Sequence, residues 1–142
     1  MILPDANLLL YSCDESSPFH AMAAAWCERI MNSTQPVILL PPVIFAFVRI
    51  STHPRIFTEP LSVSEASTHV RSWLRRRQVR LHDMLPDDVE SAIGLLESAG
   101  TAGNLTTDAQ IAAVARRLDA EVHTADLDFG RFAGVRFINP LL

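Results

Sequence analysis

A chain of 142 residues is long enough to bury one hydrophobic core and short for two ordinary domains, so residues 1–142 are expected to form a single domain. Hydrophobic residues at 49% and charged residues at 20% exclude an intrinsically disordered chain, and a net charge of −4 excludes a protein held to nucleic acid by bulk electrostatics. All 12 basic residues are arginine; without a lysine, P-loop hydrolases, Schiff-base enzymes, and the receiver and haloacid-dehalogenase-like folds that set a lysine beside an aspartate are disfavoured together.

In chain order, Met1-Ile2-Leu3-Pro4 is a short apolar run ending on Asp5, and Asn7 to Tyr11 continues with helix-compatible residues: strand, acid, helix. Ser17 as a cap and Pro18 at the first helical position open a helix predicted to reach Met31, with Phe19, Met22, Ala23, Trp26 and Ile30 at helical spacing. Val37 to Leu40 reads as a strand; Pro41-Pro42 then stops it and starts a helix to about Thr52. Ser62 and Glu65 have capping-box spacing, which predicts a helix through Val70, Trp73 and Leu74 to Arg76. Val79-Arg80-Leu81-His82 alternates as a half-exposed strand. Pro86 begins a helix with Val89, Ile93, Leu95 and Leu96 on its apolar side and Gly100 near its end. After a loop from Gly103 to Thr106, Thr107-Asp108 opens a helix over Ala109 to Leu118, and Glu121 to Thr124 and Val135 to Ile138 are the last strands. Strands alternating with helices predict an α/β fold: a mainly parallel sheet of four to five strands between two helical layers.

Val37 to Val48, the longest apolar stretch, is broken by two prolines and falls short of the roughly 20 residues a membrane span needs, so it is assigned to the core and no membrane partner is expected. No basic region precedes the first apolar residues, which predicts neither a secretory signal nor a transit peptide and makes the cytoplasm the expected compartment. Cys13 and Cys27 lack paired spacing, and His20, His53, His69, His82 and His123 form no metal-binding repeat. Any metal must therefore be held by oxygen.

Three segments supply that oxygen. In a parallel sheet, ligands bind beyond the carboxyl ends of the strands where strand order reverses. The first strand delivers Asp5 there, the Glu121–Thr124 strand delivers Asp126 and Asp128, and the helix opening at Thr107 presents Asp108. Taken singly, Asp108 is equally well a helix cap, and Asp126 and Asp128 are turn formers. Taken together, such carboxylates raise one another's pKa until a cation neutralises them, and magnesium, which keeps several waters and takes one or two carboxylates directly, suits the set.

Asp5-Ala6-Asn7-Leu8-Leu9, Thr107-Asp108-Ala109, and Thr124-Ala125-Asp126-Leu127-Asp128-Phe129 with Phe132 resemble, in order, three motifs of the PIN-domain family, and the stretch Phe47 to Phe57 is similar to one common among its VapC-type toxins. The resemblance covers nearly the whole chain. It implies an α/β/α sandwich, a magnesium- or manganese-dependent endoribonuclease, a homodimer, an RNA substrate, and inhibition by a VapB-type antitoxin whose tail occupies the acidic groove. It also implies roles: Asp5, Asp108 and Asp126 as catalytic, metal-holding acids, Asn7 and Thr107 orienting them, and Asp128 as a candidate fourth acid. The chain departs from the family in the helix after the second strand, where a glutamate is common and Ile44 or Ala46 stands here. That loss leaves open a weakened module that binds RNA or an antitoxin without cutting.

Arg49 and Arg55 follow that helix and are candidate phosphate or antitoxin contacts. Arg71, Arg75, Arg76, Arg77 and Arg80 form the densest positive run, read either as an RNA-phosphate surface or as a helix end whose cations complement its dipole.

Overall fold

The computed structural model describes residues 1–142. Five short parallel strands, β1 (Ile2–Pro4), β2 (Val37–Leu39), β3 (Val79–Leu81), β4 (Glu121–His123) and β5 (Arg136–Ile138), form one sheet in the order β3-β2-β1-β4-β5. Six helices connect them: α1 (Ala6–Cys13), α2 (His20–Met31), α3 (Pro41–Ser51), α4 (Val63–Leu74), α5 (Pro86–Ala99) and α6 (Thr106–Leu118). The chain moves outward from β1 to β3 and then returns past its start to β4. Right-handed crossovers put helices from the two directions on opposite faces. Accordingly α1 packs on α2 and α3, α3 on α4, and α5 on α6. The α/β/α architecture expected from the sequence is the one observed.

The central strands are buried on both faces: Leu3 and Val37 to Leu40 have no exposed surface, and neither do Leu8, Leu9, Val43 and Phe47 on the helices beside them. Each such side chain contributes about 1.5–3 kcal/mol through removal from water. The stretch expected to be core, Val37 to Val48, is β2 and α3, and no helix is long and apolar enough to cross a membrane.

Local signals act where the sequence places them. Ser62 accepts from Glu65 N–H while the Glu65 carboxylate accepts from Ser62 N–H, both at 3.0 Å, closing the capping box of α4. Gly100 ends α5 at φ 75°, a left-handed position with no steric cost for glycine. Ser17 does accept from Phe19 N–H, but as a turn, and α2 starts at His20, leaving Phe19 and Met22 exposed beside the buried Ala23, Trp26 and Ile30.

The apolar face of α5 also differs from its periodicity. Val89 and Ile93 are half exposed, while Asp88, Ala92 and Leu95 are buried. Asp88 turns inward, where its carboxylate accepts from Arg117 Nε at 2.8 and 3.0 Å and from Leu85 N–H at 2.8 Å. Burial would push that carboxyl up, but the bonds from Arg117 and Leu85 and the guanidinium charge outweigh it and hold Asp88 below the usual carboxylate range. Trp26 is core as expected, yet its indole N–H donates to His123 Nδ1 at 2.9 Å, and His123 Nε2 faces Glu121 at 3.3 Å. Accepting a hydrogen bond at Nδ1 fixes the neutral ring with its own hydrogen on Nε2. Burial, with Arg29 and the N-terminal amine adding to it, lowers the His123 pKa against the pull of Glu121.

Candidate active site

Because strand order reverses between β1 and β4, the crevice lies above that pair. Register carries Pro4 beside His123, and Asp5 N–H continues the ladder to His123 carbonyl at 2.9 Å. Asp5 and Thr124 therefore leave the sheet side by side.

Asp5 caps α1. One of its oxygens accepts from Ala6 N–H at 2.7 Å, and the other accepts from the Thr124 hydroxyl at 2.8 Å. That hydroxyl in turn accepts from Asn7 Nδ2 at 3.3 Å and from Asp126 N–H at 3.0 Å. One donor and two acceptors exhaust what a threonine oxygen can do. Asn7 closes the ring by accepting from Ala125 N–H at 3.3 Å. Asp126 accepts from Asp128 N–H at 2.8 Å, an Asx turn that starts the short 3₁₀ segment Leu127–Arg131. Asp126 is half buried and Asp128 exposed.

Asp108 comes from the third segment. A 3₁₀ turn over Gly103–Leu105 leads into α6, which begins at Thr106, so Asp108 lies in the first turn and not at the cap. It is 8% exposed, and no side-chain oxygen of the chain is both buried and unpaired, so its carboxylate opens onto the groove. Burial first, and then the charges of Asp5, Asp126 and Asp128, push its pKa up to about 7. Burial also raises Asp5, opposed by the bonds from Thr124 and Ala6 and reinforced by Asp126. The four aspartates thus share one electrostatic field.

The Asp5 carboxylate is oriented by Thr124, whose hydroxyl also joins Asn7 and the Asp126 backbone. Thr107 is half buried one residue before Asp108 and makes none of these hydrogen bonds. Thr124 opens the Thr124–Phe129 motif, and its hydroxyl reaches Asp5 only because β4 pairs with β1. The helix after β2 supplies no acid: Ile44 is buried in the core and Ala46 packs partly against it. Arg49 and Arg55 are exposed, the first in the last turn of α3 and the second in the loop beyond it.

No three acid, histidine or cysteine side chains stand in a ready-made ligand cluster. The donor set nevertheless suits a hard divalent cation: all-carboxylate, partly desolvated and mutually repelling. A cavity of about 910 Å³ lies elsewhere, between the α1–α2 turn and the loop after α3, and is lined by none of the four aspartates.

A family model of the PIN domain matches residues 2–135. Ribonuclease VapC33 of Mycobacterium tuberculosis is 42% identical, covering 99% of both chains. Ribonuclease VapC37 of the same organism is 33% identical over 99% of this chain and 97% of its own. Among solved structures, Mycobacterium tuberculosis VapC20, a toxin described as cleaving the sarcin–ricin loop, superposes with a TM-score of 0.72 at 18% identity over 96% of this chain and 99% of that one. The VapBC2 complex of Rickettsia felis on a promoter DNA fragment does so with a TM-score of 0.69 at 17% identity over 98% of each chain.

Proposed function

The chain belongs to the PIN-domain family, and on that premise we propose that it is a VapC-type toxin, an endoribonuclease that hydrolyses RNA phosphodiester bonds with magnesium or manganese at Asp5, Asp108 and Asp126. The observation that carries this reading is that β1, the turn after β4 and the first turn of α6 bring Asp5, Asp126 and Asp108 together at one edge of the sheet, where burial and the neighbouring aspartates push the Asp108 carboxyl up to about 7. Such a group is poised to exchange a proton for a metal ion.

Each residue has a part. Asp5 is held rigidly by Ala6 and Thr124, which leaves its outward lone pairs for the ion. Asp126 is aligned by the same hydroxyl, Asp108 faces both, and Asp128 fills the acidic role that α3 lacks. Asp5, Asp108 and Asp126 would hold an ion whose positive charge would acidify a water and offset the charge growing on the phosphate. Hydrolysis would add the oxygen of that water to phosphorus and break the opposite P–O bond, the proton lost by the water ending on the leaving oxygen. Arg49 and Arg55 meet RNA phosphates or an acidic part of the antitoxin. A VapB-type antitoxin and a second copy of the chain are the partners this reading implies, in the cytoplasm, and the VapBC assembly among the structural relatives supports the first of them.

Purified protein is expected to cut structured RNA only with magnesium or manganese, and Asp5→Asn to abolish cutting while melting as a folded protein. Metal-independent cleavage, or full activity in that variant, would sink the mechanism. The absence of an acid in α3 and of a ready-made three-ligand cluster favours one rival, a module that binds without cutting. Manganese that fails to bind the wild type at millimolar concentration would select it.

A further inference from the structure

The arginine run lies at the opposite end of the sheet from the acids. Arg71 is in the last turn of α4, Arg75 caps it, and Arg76 and Arg77 precede the amino end of β3. All strands are parallel, so this end faces away from the crevice where Asp5 and Asp126 emerge. β3 is also the sheet edge, two strands from β1. Two interstrand steps and four residues along a strand separate the patch from the acids by roughly 15–20 Å.

Complementing helix ends accounts for only part of the run. Arg76 donates to Asn32, the cap of α2, at 3.1 Å, and the Gln78 amide donates to Ile30 carbonyl at 3.1 Å. These two side chains serve the end of α2. Arg71, Arg75, Arg77 and Arg80 are exposed, make no side-chain hydrogen bond, and take part in none of the three ion pairs of the chain. No acid interrupts residues 71–80, although the whole chain carries −4. Arg80 lies on a strand beyond the helix, where no helix dipole acts on it. Four unpaired guanidiniums on one edge of an acidic protein are a local anion surface.

Resting on the ribonuclease reading above, we propose that Arg71, Arg75, Arg77 and Arg80 form an exosite that grips the phosphate backbone of structured RNA away from the cutting site. Planar guanidinium forks suit phosphate oxygens. A folded RNA reaches round the sheet edge to touch both places, and a dinucleotide does not. The exosite thereby selects for fold and size of the substrate, and the groove selects what is cut.

The test measures binding of a fluorescent RNA stem-loop of about 12 base pairs in EDTA, so that cleavage plays no part. With four phosphate contacts the wild type is expected to lose about a hundredfold in affinity between 50 and 200 mM salt. The triple variant Arg75→Glu, Arg77→Glu, Arg80→Glu is expected to bind at least tenfold more weakly and to show a salt slope lower by about three. Reversing Arg116, Arg131 and Arg136 to Glu, which changes net charge equally, is expected to leave that slope unchanged. An unchanged slope in the first variant, an equal loss in the second, or equally tight binding of polyglutamate of the same charge would overturn the exosite, the last in favour of an acidic protein. Wild-type protein that binds the stem-loop through the patch yet cuts no RNA with metal would overturn the ribonuclease reading and leave the exosite standing.

Discussion

Replacing Thr124 by valine tests how the acids are held. The hydroxyl is buried and donates to Asp5 at 2.8 Å while accepting from Asn7 and from Asp126 N–H. Valine keeps the shape and removes all three bonds. A hydrogen bond to a charged group contributes about 1.5–3 kcal/mol, and Asn7 and Asp126 N–H must then find water, so a destabilisation of about 2 kcal/mol is expected. For a domain of this size that lowers Tm by roughly 4–8 °C. The same bond holds the Asp5 carboxyl down against burial, so its loss makes Asp5 a weaker acid and a poorer ligand. Partners that orient ligands are typically worth 10–100-fold in metal affinity. Manganese titration by calorimetry is therefore expected to show that drop in Thr124→Val and near wild-type affinity in Thr124→Ser, with cleavage by the valine variant recovering at high metal. A valine variant that melts within 1 °C of wild type and binds manganese equally would refute the network's role.

Two further outcomes concern buried charges. Asp108 has a folded pKa of about 7 against 3.8 unperturbed, so between those values the folded state keeps a proton that the unfolded state has released, and stability falls as pH rises across that window. Asp108→Asn is expected to raise the stability of metal-free protein at pH 8 by on the order of 2 kcal/mol and to flatten its pH dependence above pH 5, while abolishing cleavage; urea titrations at pH 5 and 8 with EDTA check it, and a variant no more stable at pH 8 would contradict the shared field. Asp88 has the opposite sign: its depressed pKa gives stability that is present above about pH 4 and lost as pH falls through the folded value. Asp88→Ala is expected to cost about 1–3 kcal/mol, tempered because Arg117 is 29% exposed and can be solvated, and unchanged acid sensitivity in that variant would discount the pair.

The elements were legible in the sequence because their signals are local. A strand running into Asp5, a capping box at Ser62 and Glu65, a proline pair before α3 and a glycine after α5 act over one to four residues, and each was read within a residue or two of where it acts. The acids were legible too, since strand ends in a parallel sheet point at one crevice. Faces of helices were less so: α5 keeps Leu95 inward as expected but buries Asp88 and Ala92 in place of Val89 and Ile93, with Asp88 bonded to an arginine 29 positions away.

By itself, then, the sequence determined the kinds of element, their alternation and the supply of carboxylates from three segments. Tertiary structure alone decided what those residues do. Thr124 meets Asp5 across 119 positions, and Trp26 meets His123 across 97. Both contacts follow from β4 returning to lie beside β1, the step that also buries Asp108 among like charges and leaves the arginine run on the far edge. Periodicity encodes which face of an element is apolar; strand order, settled by how all the apolar faces pack at once, sets which polar groups lose water together.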